Sequence, residues 1–596
     1  GVTGTISRLN TQYDYYLPAV PGVGSANQGF KYAANTNSDR GDFHINYANS
    51  FGKSNVTATG VYEYNYYEDD TYSASGQGYQ VDATQDNSLQ SGNSAQNVIN
   101  SYKEEYKLIS FLGRATYNYD SRYYLTASIR RDGSSKFGAD NAWGEFPSFS
   151  AAWRISQEKF LKDVTWIDEL KLNVGYGITG NSDPIGAYNT QLLLQGGGSN
   201  PGGFNNYGYN PANASNLYPV GYAPSQNPNP DLKWEERIGR NIGVDFSFFK
   251  SRVTGTISAF SHKTKNLLYT YGVQVPPNFI STVLANVGDM TNKGAELGLN
   301  VAIIRNKDVE WDLGGQISIV RTKVTSLSGT WDGNAVSSNH IQLTAAGGQG
   351  LSFNPLTYLQ VGYYPGVFFL PHFKGIDQNG SQLLDSAGVK SLTLAQNPNP
   401  TNYYTDPSPK FTYGINSTVR YQRYTFNIAF NGNDGQKVYD NARLNMANYG
   451  RFPGLNSLKE LFTNGLKDNP TTSDYWLEKA SFLRCQSATI SYTFPKINEA
   501  ISAMRIYFTG NNLFIITPYK GLDPEISPYG STSATGFSTA NGSKEAIGNL
   551  ATVLRSNYGG LGGAGTGSGY LDNNYAGNGF YPRARTFTFG VAITVK

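Results

Sequence analysis

Residues 122–156 read RYYLTASIRRDGSSKFGADNAWGEFPSFSAAWRIS, and their alternation decides the fold class. Tyr123, Leu125, Ala127 and Ile129 share one face of an extended chain, while Tyr124, Thr126, Ser128 and Arg130 share the other. A period of two predicts a strand. Asp132, Gly133, Ser134, Ser135 and Lys136 interrupt it, and Phe149, Ala151, Trp153 and Ile155 then alternate with Ser148, Ser150 and Arg154 on the return. The pair is an antiparallel hairpin. A soluble sandwich would turn its apolar face inward, whereas a membrane barrel would set that face on lipid and the Ser, Thr and Arg in a wet lumen.

Composition narrows the choice. The chain has 596 residues, only 15% of them charged, with a formal net charge of +3. That near-neutral balance carries no nucleic-acid footprint. Tyr (44), Gly (67) and Phe (31) are abundant, which suits strands, aromatic girdles and long loops. The single cysteine, Cys485, excludes an internal disulfide framework. No apolar run is long enough for a transmembrane helix, which says nothing against a barrel, whose strands are individually weak signals. The chain opens on GVTGTISRL, already alternating and without an initiator Met, and reads as part of something longer.

Strand signals fall at 1–8, 41–51, 55–69, 107–119, 122–131, 147–156, 169–179, 235–249, 252–268, 290–304, 309–324, 409–421, 423–433, 481–494, 503–516 and 584–596, about sixteen strands in all. Short turns such as GKSN (52–55), YDSR (119–122), FKSR (249–252), RNKD (305–308) and YQR (421–423) alternate with long polar loops. One end is tight and the other elaborate, as an outer-membrane barrel requires. Two tight-end connections are longer, 157–170 and 495–504, and each is expected to form a helical turn. In the last strand Phe587, Phe589, Val591, Ile593 and Val595 oppose Thr586, Thr588, Gly590, Ala592 and Thr594, the pattern of a barrel-closing strand.

The chemistry-bearing candidates lie in the loops. Residues 180–232 mix Gly, Asn and Pro with Phe204, Tyr207, Tyr209, Tyr218 and Tyr222; aromatic faces beside amides suit a sugar ring or a peptide backbone. Trp143 and Trp331 are further candidate substrate contacts, each with an alternative place in an interfacial girdle. The stretch DQNGSQLLD sets Asp377, Asn379, Ser381 and Asp385 around a mid-loop Gly, a weak echo of a calcium loop lacking its terminal Glu. The four histidines are scattered and form no zinc motif. Carboxylate pairs occur, as in any chain of this length, but none sits in an acid/base motif, and the glycine-rich GGAGTGSG (562–569) lacks the strand before and helix after it that a phosphate cradle needs, so neither enzyme activity nor a cofactor is expected. Arg114, Arg130 and Arg154 are expected in the lumen, pairing between strands or with a plug.

Six stretches in register resemble the SusC-like, or RagA-like, branch of the TonB-dependent outer-membrane nutrient transporters of Bacteroidetes-type bacteria. They are the opening hairpin, LKLNVGYGITGN (170–181), NPDLKWEERIGRNIGVDF (229–246), NVGDMTNKGAELGLN (286–300), MRIYFTGNNLFIITPYKGLDPE (504–525) and YPRARTFTFG (581–590). The resemblance implies an all-β transmembrane barrel of about 22 strands, of which this chain would supply about the last sixteen. It implies an amino-terminal plug that contacts the TonB complex, a SusD-like surface lipoprotein as lid, outer-membrane lipid around the wall, and import of oligosaccharides or peptides. Relatives sometimes carry a more acidic version of the 377–385 loop, and often end on an aromatic residue where this chain ends on Lys596. Two other readings stand beside it: a self-contained passive porin of about sixteen strands, and a secreted β-sandwich adhesin or carbohydrate-binding protein.

Overall fold

Alternation persists along a strand when its two faces meet different media, and in the computed structural model sixteen such strands join one antiparallel sheet. The structure describes residues 1–19, 26–196, 222–346, 354–386, 389–392, 400–447, 449, 457–469, 471–526 and 583–595. The sheet strands are β1 (Val2–Leu17), β2 (Gln28–Phe51), β3 (Ser54–Gln77), β4 (Val98–Tyr119), β5 (Tyr123–Ser134), β6 (Trp143–Arg154), β7 (Ile167–Asn181), β8 (Glu235–Phe248), β9 (Val253–Lys265), β10 (Asp289–Arg305), β11 (Val309–Ser326), β12 (Phe411–Tyr421), β13 (Tyr424–Asp434), β14 (Phe482–Phe494), β15 (Ile501–Ile516) and β16 (Thr586–Val595). Each pairs with its neighbours in chain order. A sandwich would divide them between two facing sheets; here one wall holds all sixteen.

The register carries the apolar face around that wall. Leu125 lies opposite Ala151, then Val174, Ile242, Ala259, Ala295 and Ile319 on successive strands. A second row runs from Trp311 through Val419, Phe426, Ile490 and Phe508 to Phe589. Many of these outer side chains are open: Ile242 is 51% and Phe589 70% exposed. So wide an apolar belt has water as its alternative only at large cost, and lipid satisfies it. The inner face is polar. Arg130 donates to Asp132 at 2.8 Å and to Glu63 on β3 at 3.3 Å, and Arg154 donates to Glu169 at 2.8 Å, so both join strand to strand. Arg114 is exposed on the same face.

Among the described residues β1 and β16 each have a single neighbour and do not pair with one another. A self-contained sixteen-stranded porin would close along that seam.

β2, β3 and β4 run for 24, 24 and 22 residues, against the roughly 9–11 that cross a bilayer. The sequence signals cover only their lower parts, because in the upper parts apolar alternation stops: on β2 the successive residues Tyr32, Ala33 and Ala34 are all buried, so neither face is the single apolar one. At the tight end Asp120 and Ser121 both take φ of 52°, the left-handed central pair of a turn closed by the Arg122 amide on the Tyr119 carbonyl at 3.0 Å. The connection after β6 holds two 3₁₀ turns, Ile155–Gln157 and Lys159–Leu161. The helical turn expected in 495–504 does not form. There the Asn498 side chain accepts the amides of Ala500 at 3.0 Å and Ile501 at 2.7 Å, a local turn that competes with helix, and β15 begins at once.

The buried apolar clusters all lie at the long-loop end. That end is a crown with its own cores, standing on a wall whose lower part contributes to no such cluster among the described residues.

Candidate functional site

The crown is assembled by latches between distant loops. In 227–234 (NPNPDLKW) Pro228 and Pro230 lack amide donors, and the flanking Asn side chains do the bonding. Asn227 donates to the carbonyls of Ile280 at 2.6 Å and Thr282 at 2.9 Å, and Asn229 donates to Leu284 at 2.8 Å. Leu232 is fully buried, and Trp234 packs its ring 4.7 Å from Phe137 and 5.5 Å from Phe146. The loop between β5 and β6, through Phe137, and the start of β6, through Phe146, thus meet the 229–246 stretch in one core.

A second core joins Leu356, Phe368, Tyr439, Leu444 and Trp476, all under 2% exposed. Around its edge Arg443 donates to Glu460 and, at 2.9 Å, to Glu478, while its guanidinium lies 5.0 Å from the Tyr475 ring and 5.3 Å from that of Trp476. Burial works against the charge of Arg443, but the hydrogen bond and field of Glu460, with Glu478 behind it, outweigh burial and hold its pKa above the usual value. Crown and wall are then tied by Arg484 on β14, which is buried and pairs with Asp523 at 2.6 Å and Glu525 at 3.1 Å. Those two carboxylates belong to the 504–525 stretch. On the sheet of His340–Ala345, Pro355–Gln360, Val367–Pro371 and Asn402–Thr405, aromatic rings meet in a ladder that runs on to the adjoining Tyr363: Tyr358 edge-on to Phe369 at 5.8 Å, Phe369 stacked on Tyr404 at 4.5 Å, Tyr404 tilted against Tyr363 at 4.4 Å. Tyr363 at its end is 40% exposed.

The candidates read from sequence scatter over this crown. Tyr222 is 74% exposed, on a short strand where it opposes Gly196. Phe204, Tyr207, Tyr209 and Tyr218 lie outside the described residues. Trp331 is half-buried and donates its indole N–H to the Pro228 carbonyl at 3.4 Å, joining the 227–234 latch. Trp143 stands on the outer face of β6, opposite Gly133, with the Arg131 guanidinium 5.1 Å from its ring. It faces away from the lumen. In the 377–385 loop the Asp377 carboxylate accepts the amides of Asn379 at 2.9 Å and Ser381 at 2.8 Å. Ser381 donates to Asp468 at 2.9 Å, and Asp385 accepts from Tyr403 at 2.6 Å. Among the described residues these side chains are committed to holding a hairpin and its neighbours. The aromatic ladder escaped the sequence reading, although the density of rings in 358–373 was its signal.

Beneath the crown the inner wall carries a polar recess of about 360 Å³. Gly175, Gly177 and Gly239 floor it, and Arg237 sits 2.6 Å from His262 at its rim.

A family model described as "TonB dependent receptor-like, beta-barrel" matches residues 2–513. TonB-dependent receptor SusC of Bacteroides thetaiotaomicron is 32% identical over 457 residues, 71% of this chain and 42% of that protein. TonB-dependent receptor P3 of Formosa agariphila is 26% identical over 561 residues, 87% of this chain and 52% of that protein. Among solved structures, that of the RagAB peptide transporter superposes with a TM-score of 0.73 at 26% identity, covering 88% of this chain and 57% of the other. The chain spans about half the length of the curated relatives it matches.

Proposed function

Because the chain belongs to the TonB-dependent receptor-like β-barrel family of the outer membrane, we propose that it forms most of the wall and crown of a SusC-like importer of oligomeric nutrient. The rest of the protein supplies the strands between β1 and β16, a plug for the lumen, and the segment that couples uptake to the TonB complex. The long-loop crown faces outward and holds a SusD-like surface lipoprotein. The substrate is an oligosaccharide or a peptide, and the protein moves it without transforming it.

The observation that carries this reading is the crown itself. A passive channel needs little loop mass, whereas here the buried cores, the Arg443 and Arg484 ion pairs and the Asn-Pro latch all serve to fix loops at one end. A fixed crown is a recognition surface: stable protein interfaces bury about 1,200–2,000 Å². Substrate contact falls to the exposed aromatic rings of Tyr222 and of Tyr363 at the end of the ladder; the aromatic residues Phe204, Tyr207, Tyr209 and Tyr218 of the same 180–232 loop are further candidates, whereas Trp331 is held in the latch and Trp143 faces away from the lumen.

The test is affinity capture of the full-length protein from native membranes in mild detergent, followed by mass spectrometry. The proposal expects stoichiometric recovery of a SusD-like lipoprotein. Recovery of the barrel alone, with solute flux independent of the proton gradient, would favour a passive channel.

A further inference from the structure

Cations on the outer wall are distributed unevenly. Elsewhere on the sheet several have an acidic partner: Arg8 pairs with Asp39, Lys31 with Asp14 at 3.1 Å, Lys103 with Glu68 at 3.0 Å, and Arg131 with Glu145 at 3.7 Å, while Lys107 lies over the Tyr66 ring. On β8–β11 such partners are fewer. Arg240 lies opposite Ser261, Ser261 opposite Lys293, and Lys293 opposite Arg321. One rung nearer the crown, Lys263 lies opposite Thr291, which lies opposite Lys323. The strand parity puts Arg240, Lys263, Lys293, Arg321 and Lys323 on the face of Ile242, Ala259, Ala295 and Ile319. Of the five only Lys263 has a carboxylate partner among the described residues, Asp289 at 2.9 Å. Lys293 and Arg321 are like charges directly across a strand pair, an arrangement that destabilises a sheet unless an anion sits between them.

The apolar belt begins one rung below this patch, at Ala295 and Ile319. Four residues below the Lys293–Arg321 rung, about 13 Å along the strands, a groove of about 1040 Å³ opens over Leu297, Leu299, Ile317, Tyr413 and Ile415. Its floor includes Gly315, where an added Cβ would find its nearest atom only at 3.8 Å. Cations over an apolar trough match one chemistry, a phosphate group above acyl chains. We propose that this sector binds a phosphorylated glycolipid of the outer leaflet, with Lys293, Arg321 and Lys323 on its phosphate and the groove on an acyl chain. A second copy of this chain is the poorer occupant, since two such patches would repel. The inference rests on the crown facing outward, which thiol labelling tests separately.

The experiment uses the full-length protein, detergent-purified and stripped of lipid, as wild type and as the triple variant Lys293→Gln, Arg321→Gln, Lys323→Gln. Arg131→Gln, which removes a partnered cation, is the control, and heat-modifiability on a gel reports the folded wall. Lipopolysaccharide, phosphatidylethanolamine and inorganic phosphate are the probes, read by native mass spectrometry and by thermal shift. Lipopolysaccharide should bind wild type and Arg131→Gln alike and raise their melting temperatures, and the triple variant should bind about a hundredfold more weakly, three basic residues being lost. Equal binding by wild type and triple variant overturns the site. So does equal stabilisation by inorganic phosphate or phosphatidylethanolamine. Dissolution of a wild-type dimer by the triple change, with lipid binding unaltered, would assign the patch to a second copy instead.

Discussion

The wall and the crown are built from the same chain by opposite means. In the wall, register alone organises the side chains: Leu125, Ala151, Val174 and Ile242 follow one another across strands and cover one another only in part. In the crown, Trp476, Tyr439, Phe368 and Leu232 are almost wholly buried, drawn from loops far apart in sequence. The wall borrows its apolar environment from the bilayer, so its stability depends on strand pairing and on which face meets lipid. The crown must bury its own side chains, as a soluble domain does, and its stability depends on packing. The crown can therefore be altered without touching the barrel, and the reverse.

The first way to break the comparison is to remove a crown core residue. Trp476→Ala should cost about 3–5 kcal/mol, the usual price of a large buried aromatic, and it also orphans the Thr471 carbonyl that its indole N–H reaches at 3.0 Å. The loss should fall on the crown: faster proteolysis there and weaker partner capture, with an unchanged heat-modifiable barrel band. Unfolding of wall and crown together would show that they are one cooperative unit.

The second tests the wall. Val591 lies opposite Ile506 on the outer face and Thr588 opposite Thr509 on the inner. Val591→Arg should cost about 2–4 kcal/mol in a membrane-refolding assay, and Thr588→Arg much less. Equal tolerance would remove the lipid face from the account.

The smallest effect is electrostatic and belongs to the crown. The hydrogen bond from Tyr403, with Lys374 nearby, holds the Asp385 carboxyl below its usual pKa. A depressed carboxyl stabilises the fold fully above the unfolded value, about 3.9, and loses that contribution as pH falls through the lower, folded value. Tyr403→Phe should shift the acid-induced loosening of this hairpin to higher pH, read by hydrogen exchange of 373–386, while exchange in β5 and β6 stays unchanged. An unaltered acid profile would make the pair inconsequential.

The two regions also differ in how much of them was legible. All sixteen wall strands were readable because lipid on one side and water on the other impose a period of two that survives in a single strand. The upper parts of β2–β4 were not: in YAANTNSDR, residues 32–40, apolar and polar residues do not alternate, because no single face there is the apolar one. The crown was harder still. Phe137, Phe146, Leu232, Trp234 and Leu268 form one core, yet no periodicity links residues so far apart. Trp331, read as a substrate contact, gives its N–H to a neighbouring loop, and the ladder through Tyr358, Phe369 and Tyr404 is visible only once its sheet has brought 355–360, 367–371 and 402–405 together.

The division into a membrane wall and an outward crown is tested most directly by labelling whole cells with an impermeant thiol reagent. In a Cys485→Ser background, single cysteines replace Lys53 and Ser121 in the tight turns and Asn334 in the crown. The account predicts labelling at Asn334→Cys on intact cells, and at Lys53→Cys and Ser121→Cys only after the outer membrane is opened. Labelling of the turn positions on intact cells, with Asn334→Cys protected, would contradict it.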